Sequence, residues 1–129
     1  MEPAKKILVV EDNQKNRKLL TDILKYHGYE VSEAADGFEG IRLAREFMPE
    51  LIFMDIQMHG MDGVAALKAL KADPATSGIK IIALTSFAMK GDKERFMREG
   101  FTGYITKPVD TRKLPVIVKQ YMNETPATA

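Results

Sequence analysis

The stretch Leu51-Ile52-Phe53-Met54-Asp55 decides how this sequence folds. A short continuous apolar run bounded by turn residues is typical of a strand buried on both faces of a parallel sheet that helices cover. Pro49 before the run, and Gly60 and Gly63 after it, supply those boundaries. Because an unpaired carboxylate inside such a strand would be costly, Asp55 is expected where the strand ends. On this stretch alone, a capping role for Asp55 in the following turn is favoured over a functional one.

Composition limits the class of protein. The chain has 129 residues, 45% of them hydrophobic and 29% charged, which predicts one soluble globular domain. A formal net charge of +1 argues against a nucleic-acid-binding surface. Cysteine is absent, which excludes disulfides and thiolate chemistry and suits a reducing compartment. No apolar run near the N-terminus is long enough for a signal peptide or membrane span, so we expect a cytoplasmic protein without membrane attachment.

Apolar runs alternate with amphipathic segments along the chain. Strands are predicted over residues 7–10, 29–34, 51–55, 79–84 and 101–106. Helices are predicted over about 14–27, 38–47, 64–72, 88–99 and 111–121. The expected inward stripe of the first helix is Leu19, Leu20, Ile23 and Leu24. Regular alternation predicts one α/β domain over residues 6–122, a five-stranded parallel sheet with helices on both faces. Residues 1–5 are expected to form a polar lead and 123–129 a flexible tail.

Four of the predicted strands end in side chains that can do chemistry. These are Glu11-Asp12, Asp55, Thr85-Ser86 and Lys107. All strands of a parallel sheet point the same way, so these ends are expected along one edge, where open α/β sheets bind ligands. Four coincident endings favour a functional site over turn chemistry.

The residue types at this edge indicate phosphoryl chemistry with a metal ion. Converging carboxylates repel one another, and a hard cation such as Mg²⁺ would relieve that repulsion. Cysteine and histidine ligands are missing at these strand ends, which disfavours zinc. Lys107 could offer a positive charge to one phosphoryl oxygen and Thr85 a hydroxyl donor to another. Asp55 would then be the nucleophile that forms an aspartyl phosphate.

Over about residues 5–122 the chain resembles the response-regulator receiver domains of two-component signalling. The matching motifs are Val10-Glu11-Asp12-Asn13, Met54-Asp55-Ile56-Gln57-Met58, Leu84-Thr85-Ser86 and Tyr104-Ile105-Thr106-Lys107-Pro108. The resemblance implies a doubly wound (βα)5 sheet with strand order 2-1-3-4-5, the flavodoxin-like arrangement of CheY. The run over residues 87–92 is also similar to DivK-like single-domain regulators of the bacterial cell cycle, although receivers of hybrid kinases carry similar runs.

The resemblance implies a role for each carboxylate. Asp55 would accept a phosphoryl group from a sensor histidine kinase or a histidine phosphotransfer protein. Asp12 and Asp55 would ligate Mg²⁺ directly, together with the backbone carbonyl of Gln57, and Glu11 would act mainly through water. Mn²⁺ is expected to substitute for Mg²⁺.

The resemblance also implies a switch. Thr85 and Lys107 would bind the phosphoryl group, and the Lys107–Pro108 peptide bond would be cis. As Thr85 moves towards the phosphoryl group, Tyr104 would turn inward and repack the face formed by the fourth helix, fifth strand and fifth helix. A downstream effector or a regulated kinase would bind that face.

The chain departs from the family pattern at two positions. His59 stands where proline usually follows Met58, so the loop after Asp55 is expected to be less stiff. Ser86 stands where alanine is commoner and is small enough not to block a phosphoryl group.

We therefore interpret the chain as a stand-alone receiver, monomeric when unphosphorylated, that catalyses only its own phosphorylation and dephosphorylation. Three alternative functions place different demands on the sequence. A Mg²⁺-dependent phosphohydrolase would need an acid near Asp55, where Gln57 stands. A flavodoxin-like nucleotide module would need a Gly-rich or Ser/Thr-rich phosphate loop in place of Glu11-Asp12-Asn13. A degenerate receiver would bind partners without phosphorylation, although the set of site residues is complete.

Overall fold

The computed structural model describes residues 4–86 and 91–122. The strands are β1 (Lys6–Val10), β2 (Glu30–Ala34), β3 (Leu51–Asp55), β4 (Lys80–Thr85) and β5 (Gly103–Thr106). The helices are α1 (Gln14–Tyr26), α2 (Gly37–Phe47), α3 (Gly63–Ala72), α4 (Asp92–Glu99) and α5 (Leu114–Met122). The predicted alternation is confirmed. The expectations for residues 1–3, for 87–90 at the start of the fourth helix, and for the tail at 123–129 lie outside the described residues.

The five strands form one parallel sheet in the order β2-β1-β3-β4-β5, which confirms the order implied by the resemblance. The register pairs Val10 with Met54, and Asp55 with Leu84. Thr85 in turn pairs with Thr106. The last residues of adjacent strands therefore lie at nearly the same level, and the segments that follow them share one edge.

Position in the sheet explains the hydrophobic pattern of each strand. β3 is buried at every residue, and β1 and β4 are buried after their first lysine. Such strands, covered on both faces, read as continuous apolar runs. β2 and β5 are edge strands with mixed burial. This is why the sequence pattern was weaker at those two strands.

Two apolar layers enclose the sheet. Leu20 and Leu24 of α1 and Leu114 and Val118 of α5 pack on one face, and buried residues of α2, α3 and α4 pack on the other. One part of the predicted stripe on α1 is wrong. Leu19 is 47% exposed, because the buried face of α1 is formed by Leu20, Thr21 and Leu24 and Leu19 lies on the flank of the helix.

Side-chain caps set where the helices begin. Asn13 accepts a hydrogen bond from the Asn16 N–H, and Asp62 accepts one from the Ala65 N–H at 2.8 Å. α5 begins at Leu114, later than predicted, after a turn in which the Asp110 carbonyl accepts from the Leu114 N–H. Among the residues described, none of the helices combines the length and apolar character that crossing a membrane requires.

Candidate functional site

Three carboxylates meet at the carboxyl edge of the sheet, and we call them the acidic cluster: Glu11, Asp12 and Asp55. One oxygen from each lies within 4.8 Å of the others. Asp55 is the last residue of β3, and Glu11 and Asp12 directly follow β1. Asp55 and Glu11 are buried, whereas Asp12 is half-buried and reaches towards solvent. The structure therefore brings together the carboxylates that the sequence placed at two separate strand ends.

Lys107 ties two of these carboxylates together. Its Nζ lies 2.9 Å from Glu11 Oε1 and 3.0 Å from Asp55 Oδ1. Lys107 follows β5, so its side chain reaches past the end of β4 to the central strands. Its backbone N–H donates to the Thr85 carbonyl at 2.7 Å, and the Lys107–Pro108 peptide bond is cis.

Burial and crowding control the charge of the site. Burial, followed by the contact with Glu11, raises the pKa of Asp55 from 3.8 to about 7, although Lys107 acts in the opposite direction. Burial by itself would lower the pKa of Lys107, but Glu11 and Asp55 outweigh it, so the lysine pKa lies above its ordinary value. One lysine therefore does not neutralise the acidic cluster at neutral pH.

This donor set fits Mg²⁺. All three side chains of the acidic cluster offer carboxylate oxygens, the ligands that a hard cation prefers. A second positive charge would offset the burial and the contact with Glu11, which together raise the Asp55 pKa. The Gln57 N–H donates to Asp55 Oδ1 at 3.2 Å, which places the main chain of Gln57 beside the cluster. An open cleft of about 520 Å³, lined partly by Asp12, Gln57 and His59, gives access from solvent.

Main-chain and side-chain donors hold the acidic cluster in place. The Asn13 N–H donates to Glu11 Oε2 at 3.0 Å, and the His59 N–H donates to Asp12 Oδ2 at 3.4 Å. Proline, which the family usually has at position 59, has no N–H to donate. Arg17 Nη1 donates to the Glu11 carbonyl oxygen at 2.8 Å. Sequence reasoning missed Arg17, since an arginine in the second turn of a helix has no pattern that distinguishes it from surface charge.

Gly63 lies directly against the backbone of Asp55 and Ile56. A Cβ at this residue would overlap the carbonyl oxygen of Asp55 and lie 2.9 Å from the Cα of Ile56. The Gly63 N–H also donates to the Ile56 carbonyl at 2.9 Å. The sequence indicated Gly63 only as a loop boundary. Gly63 is the first residue of α3 and directly follows the capping Asp62. Because glycine is a poor helix former, a glycine at this position was the signal in the sequence that a side chain does not fit there.

Thr85 and Tyr104 lie on the same face of adjacent strands. Tyr104 pairs with Ala83, and Thr85, two residues further along β4, pairs with Thr106. Thr85 is buried at the strand end. The Tyr104 ring is half-buried, with its centroid 6.4 Å from that of Phe96 on α4. The two residues of the expected switch are therefore diagonal neighbours beside a small alanine.

Comparison with known proteins agrees with the observed fold. Residues 7–119 match the family model of the response regulator receiver domain. That match spans most of the chain, and the protein belongs to the response regulator receiver domain family. It is therefore a receiver domain of a two-component system.

Individual relatives make the comparison more specific. The chain is 41% identical over 120 residues to the polar-differentiation response regulator DivK of Brucella anthropi, covering 93% of this chain and 98% of that protein. It is similar in structure to the chemotaxis protein CheY4 of Vibrio cholerae, with a TM-score of 0.86, 28% identity, and 92% and 98% of the two chains covered. A sensor histidine kinase receiver domain from Pseudomonas aeruginosa, solved with a magnesium ion in its active site cleft, has a TM-score of 0.84, 32% identity, and 92% and 98% coverage.

Proposed function

We propose that this chain is a cytoplasmic, Mg²⁺-dependent phosphorylation switch that accepts a phosphoryl group on Asp55. The observation that carries the proposal is the position of Asp55, buried at the end of β3 within the acidic cluster and 3.0 Å from Lys107. The phosphoryl donor is proposed to be a histidine kinase or a histidine phosphotransfer protein. The similarity to DivK, a response regulator, supports this choice.

The proposed transfer is a displacement at phosphorus. An oxygen of the ionised Asp55 carboxylate forms the new P–O bond, and the P–N bond to the donor histidine breaks with its electron pair returning to the imidazole. Bound Mg²⁺, held by Asp12, Asp55 and the Gln57 carbonyl with Glu11 acting through water, would neutralise charge on the phosphoryl oxygens.

The protein's own residues then position the product. The Lys107 ammonium already lies on Asp55 Oδ1, so it is placed to pair with a phosphoryl oxygen attached there. The Thr85 hydroxyl is proposed to donate to another oxygen, and its movement would make room for Tyr104 to turn inward. The contact of Tyr104 with Phe96 couples this change to α4, and hence to the face formed by α4, β5 and α5.

The proposed output is partner binding, because the proposed chemistry places the phosphoryl group on Asp55 of the chain itself. The neighbour two residues beyond the nucleophile is Gln57, which is not a general acid, so the phosphohydrolase alternative lacks its second catalytic group. The degenerate-receiver alternative is disfavoured by the contacts of Lys107 with two carboxylates at 2.9 and 3.0 Å.

The test is the intact mass of the protein after incubation with acetyl phosphate, with and without Mg²⁺. We expect one phosphoryl adduct that requires Mg²⁺, is labile to hydroxylamine and disappears in Asp55→Asn. Asp22→Asn is the matched control, since Asp22 lies on α1 and pairs only with the exposed Lys18 in the contacts described. Absence of an adduct in the wild type, with no effect of beryllofluoride on the Tyr104 environment, would favour the degenerate receiver.

A further inference from the structure

We propose that Arg17 is a positioning residue for the metal site, acting through the backbone between Glu11 and Asp12. This inference rests on the function proposed above. Arg17 lies on α1, and its side chain is only 17% exposed. It touches neither a metal ligand oxygen nor the phosphoacceptor in the contacts described, so its role is indirect.

The guanidinium of Arg17 bonds both to the loop that follows β1 and to strand β2. Nη1 donates to the Glu11 carbonyl oxygen at 2.8 Å, and Nε donates to Glu33 Oε1 at 3.3 Å. Glu33 belongs to β2, whereas Glu11 directly follows β1. A guanidinium is planar and carries its donors at fixed angles, so satisfying both acceptors at once fixes their relative placement. Arg17 therefore anchors the loop after β1 to the neighbouring strand.

The orientation of the Glu11 carbonyl affects the position of Asp12, the next residue in this loop. The peptide unit is planar, so the direction of that carbonyl also sets the direction of the Asp12 N–H and restricts where the Asp12 Cα lies. The Glu11 N–H is held from the other side by the Ala34 carbonyl at 3.1 Å. With both main-chain groups of Glu11 bonded, the carboxylates of Glu11 and Asp12 start from a defined backbone.

A fixed backbone matters more for the position of the Asp12 carboxylate than for those of Glu11 and Asp55. Asp55 and Glu11 are buried and contact Lys107, but Asp12 is half-buried, and the bond described for its carboxylate is the long one from the His59 N–H, at 3.4 Å. Groups that orient metal ligands typically change metal affinity by about 10- to 100-fold when they are removed. Arg17 would supply that orientation through the main chain.

A purely structural role makes a different prediction. If Arg17 only joined α1 to β2, its loss would lower the melting temperature and leave Mg²⁺ affinity unchanged. The two roles are separated by measuring both quantities on the same variants, with Mg²⁺ alone as the ligand in isothermal titration calorimetry. Arg17→Met removes the donors while keeping much of the side-chain length.

We expect Arg17→Met to raise the Mg²⁺ dissociation constant by about tenfold or more. Glu33→Gln, which leaves the bond to the Glu11 carbonyl in place, should have a smaller effect, and Arg17→Lys an intermediate one. Arg42→Met is the matched control, because Arg42 pairs with Glu39 and Glu46 on the exposed face of α2 and is 56% exposed. It should bind Mg²⁺ as the wild type does.

Wild-type affinity in folded Arg17→Met would overturn the proposal. A loss of affinity in Arg42→Met as large as in Arg17→Met would also overturn it. If Arg17→Met does not fold, Arg17→Lys and Glu33→Gln carry the test, and wild-type affinity in both would refute the positioning role. Failure of the wild type to bind Mg²⁺ would instead refute the proposed function itself, so the two failures are distinguishable.

Discussion

Replacing Gly63 with alanine should slow the proposed phosphorylation of Asp55, with only a moderate loss of stability. The added methyl group would lie 2.9 Å from the Ile56 Cα and overlap the Asp55 carbonyl oxygen. Carbon atoms normally pack at about 3.5–4.0 Å, so the backbone after β3 must move by roughly 0.6–1.1 Å. The obstacle is main chain, which cannot rotate away as a flexible side chain would.

The substitution should have a small effect on the free energy of unfolding and a larger effect on the rate of phosphorylation. Overpacking costs about 1–3 kcal/mol, and the better helix propensity of alanine returns up to about 1 kcal/mol. The net loss of unfolding free energy is then of order 1–2 kcal/mol. A misplacement of about 1 Å at a reacting group can reduce the rate about 100-fold, so phosphorylation of Asp55 should fall by about 10- to 100-fold.

The assay is the rate of phosphoryl-adduct formation with acetyl phosphate and Mg²⁺, alongside thermal unfolding. Gly78→Ala is the matched control, because a Cβ at Gly78 would meet nothing within 4 Å. We expect its rate and melting temperature to match those of the wild type. Wild-type phosphorylation and stability in Gly63→Ala would refute the inferred contact between Gly63 and the Asp55 backbone.

Four further predictions concern the ionisation of Asp55, the packing at Gly103 and the loop at His59. Because the pKa of Asp55 is raised from 3.8 to about 7 in the folded protein, metal-free protein should lose stability as the pH rises through that window, and thermal melts should show a flatter dependence for Asp55→Asn. Mg²⁺ affinity measured by calorimetry should rise over the same window, since the carboxylate must lose its proton to bind; a flat profile would contradict the raised pKa. Gly103→Ala should destabilise the fold by about 1–3 kcal/mol in denaturant titrations, because its Cβ would overlap the Tyr121 hydroxyl, and adding Tyr121→Phe should recover part of the loss. His59→Pro removes the N–H that bonds Asp12 and should weaken Mg²⁺ binding by about 2- to 5-fold, whereas His59→Ala, which keeps that N–H, should not.

The element order could be predicted because its signals are local. The buried runs that become β1, β3 and β4 are continuous in sequence, and capping residues such as Asn13 lie within a few residues of the helix they begin. The bounds of the edge strands were predicted less accurately. β5 begins at Gly103, two residues after the predicted start, because an edge strand is shorter and only partly covered.

The candidate site could be predicted in outline for a topological reason. Once the strands are parallel, their carboxyl ends lie at the same edge of the sheet, whatever the packing of the helices. The side chains at or directly after those ends are Glu11, Asp55, Thr85 and Lys107. The alternation of strands and helices does not predict the order of the strands in the sheet, and that order was implied by the resemblance to receiver domains. That order places β1 and β3 side by side, and so brings Glu11 next to Asp55.

Local patterns along the chain are enough to predict the strand–helix alternation, the buried central strands and the side chains at the strand ends. Tertiary packing is what makes Lys107 contact both Glu11 and Asp55, makes Arg17 bond to the Glu11 carbonyl, and brings Gly63 against the Asp55 backbone. Periodicity and turn chemistry act over a few residues and can be read along the chain. The contacts of Lys107 depend instead on strand order, register and the packing of helices on the sheet, since 52 and 96 positions separate it from its two partners in sequence.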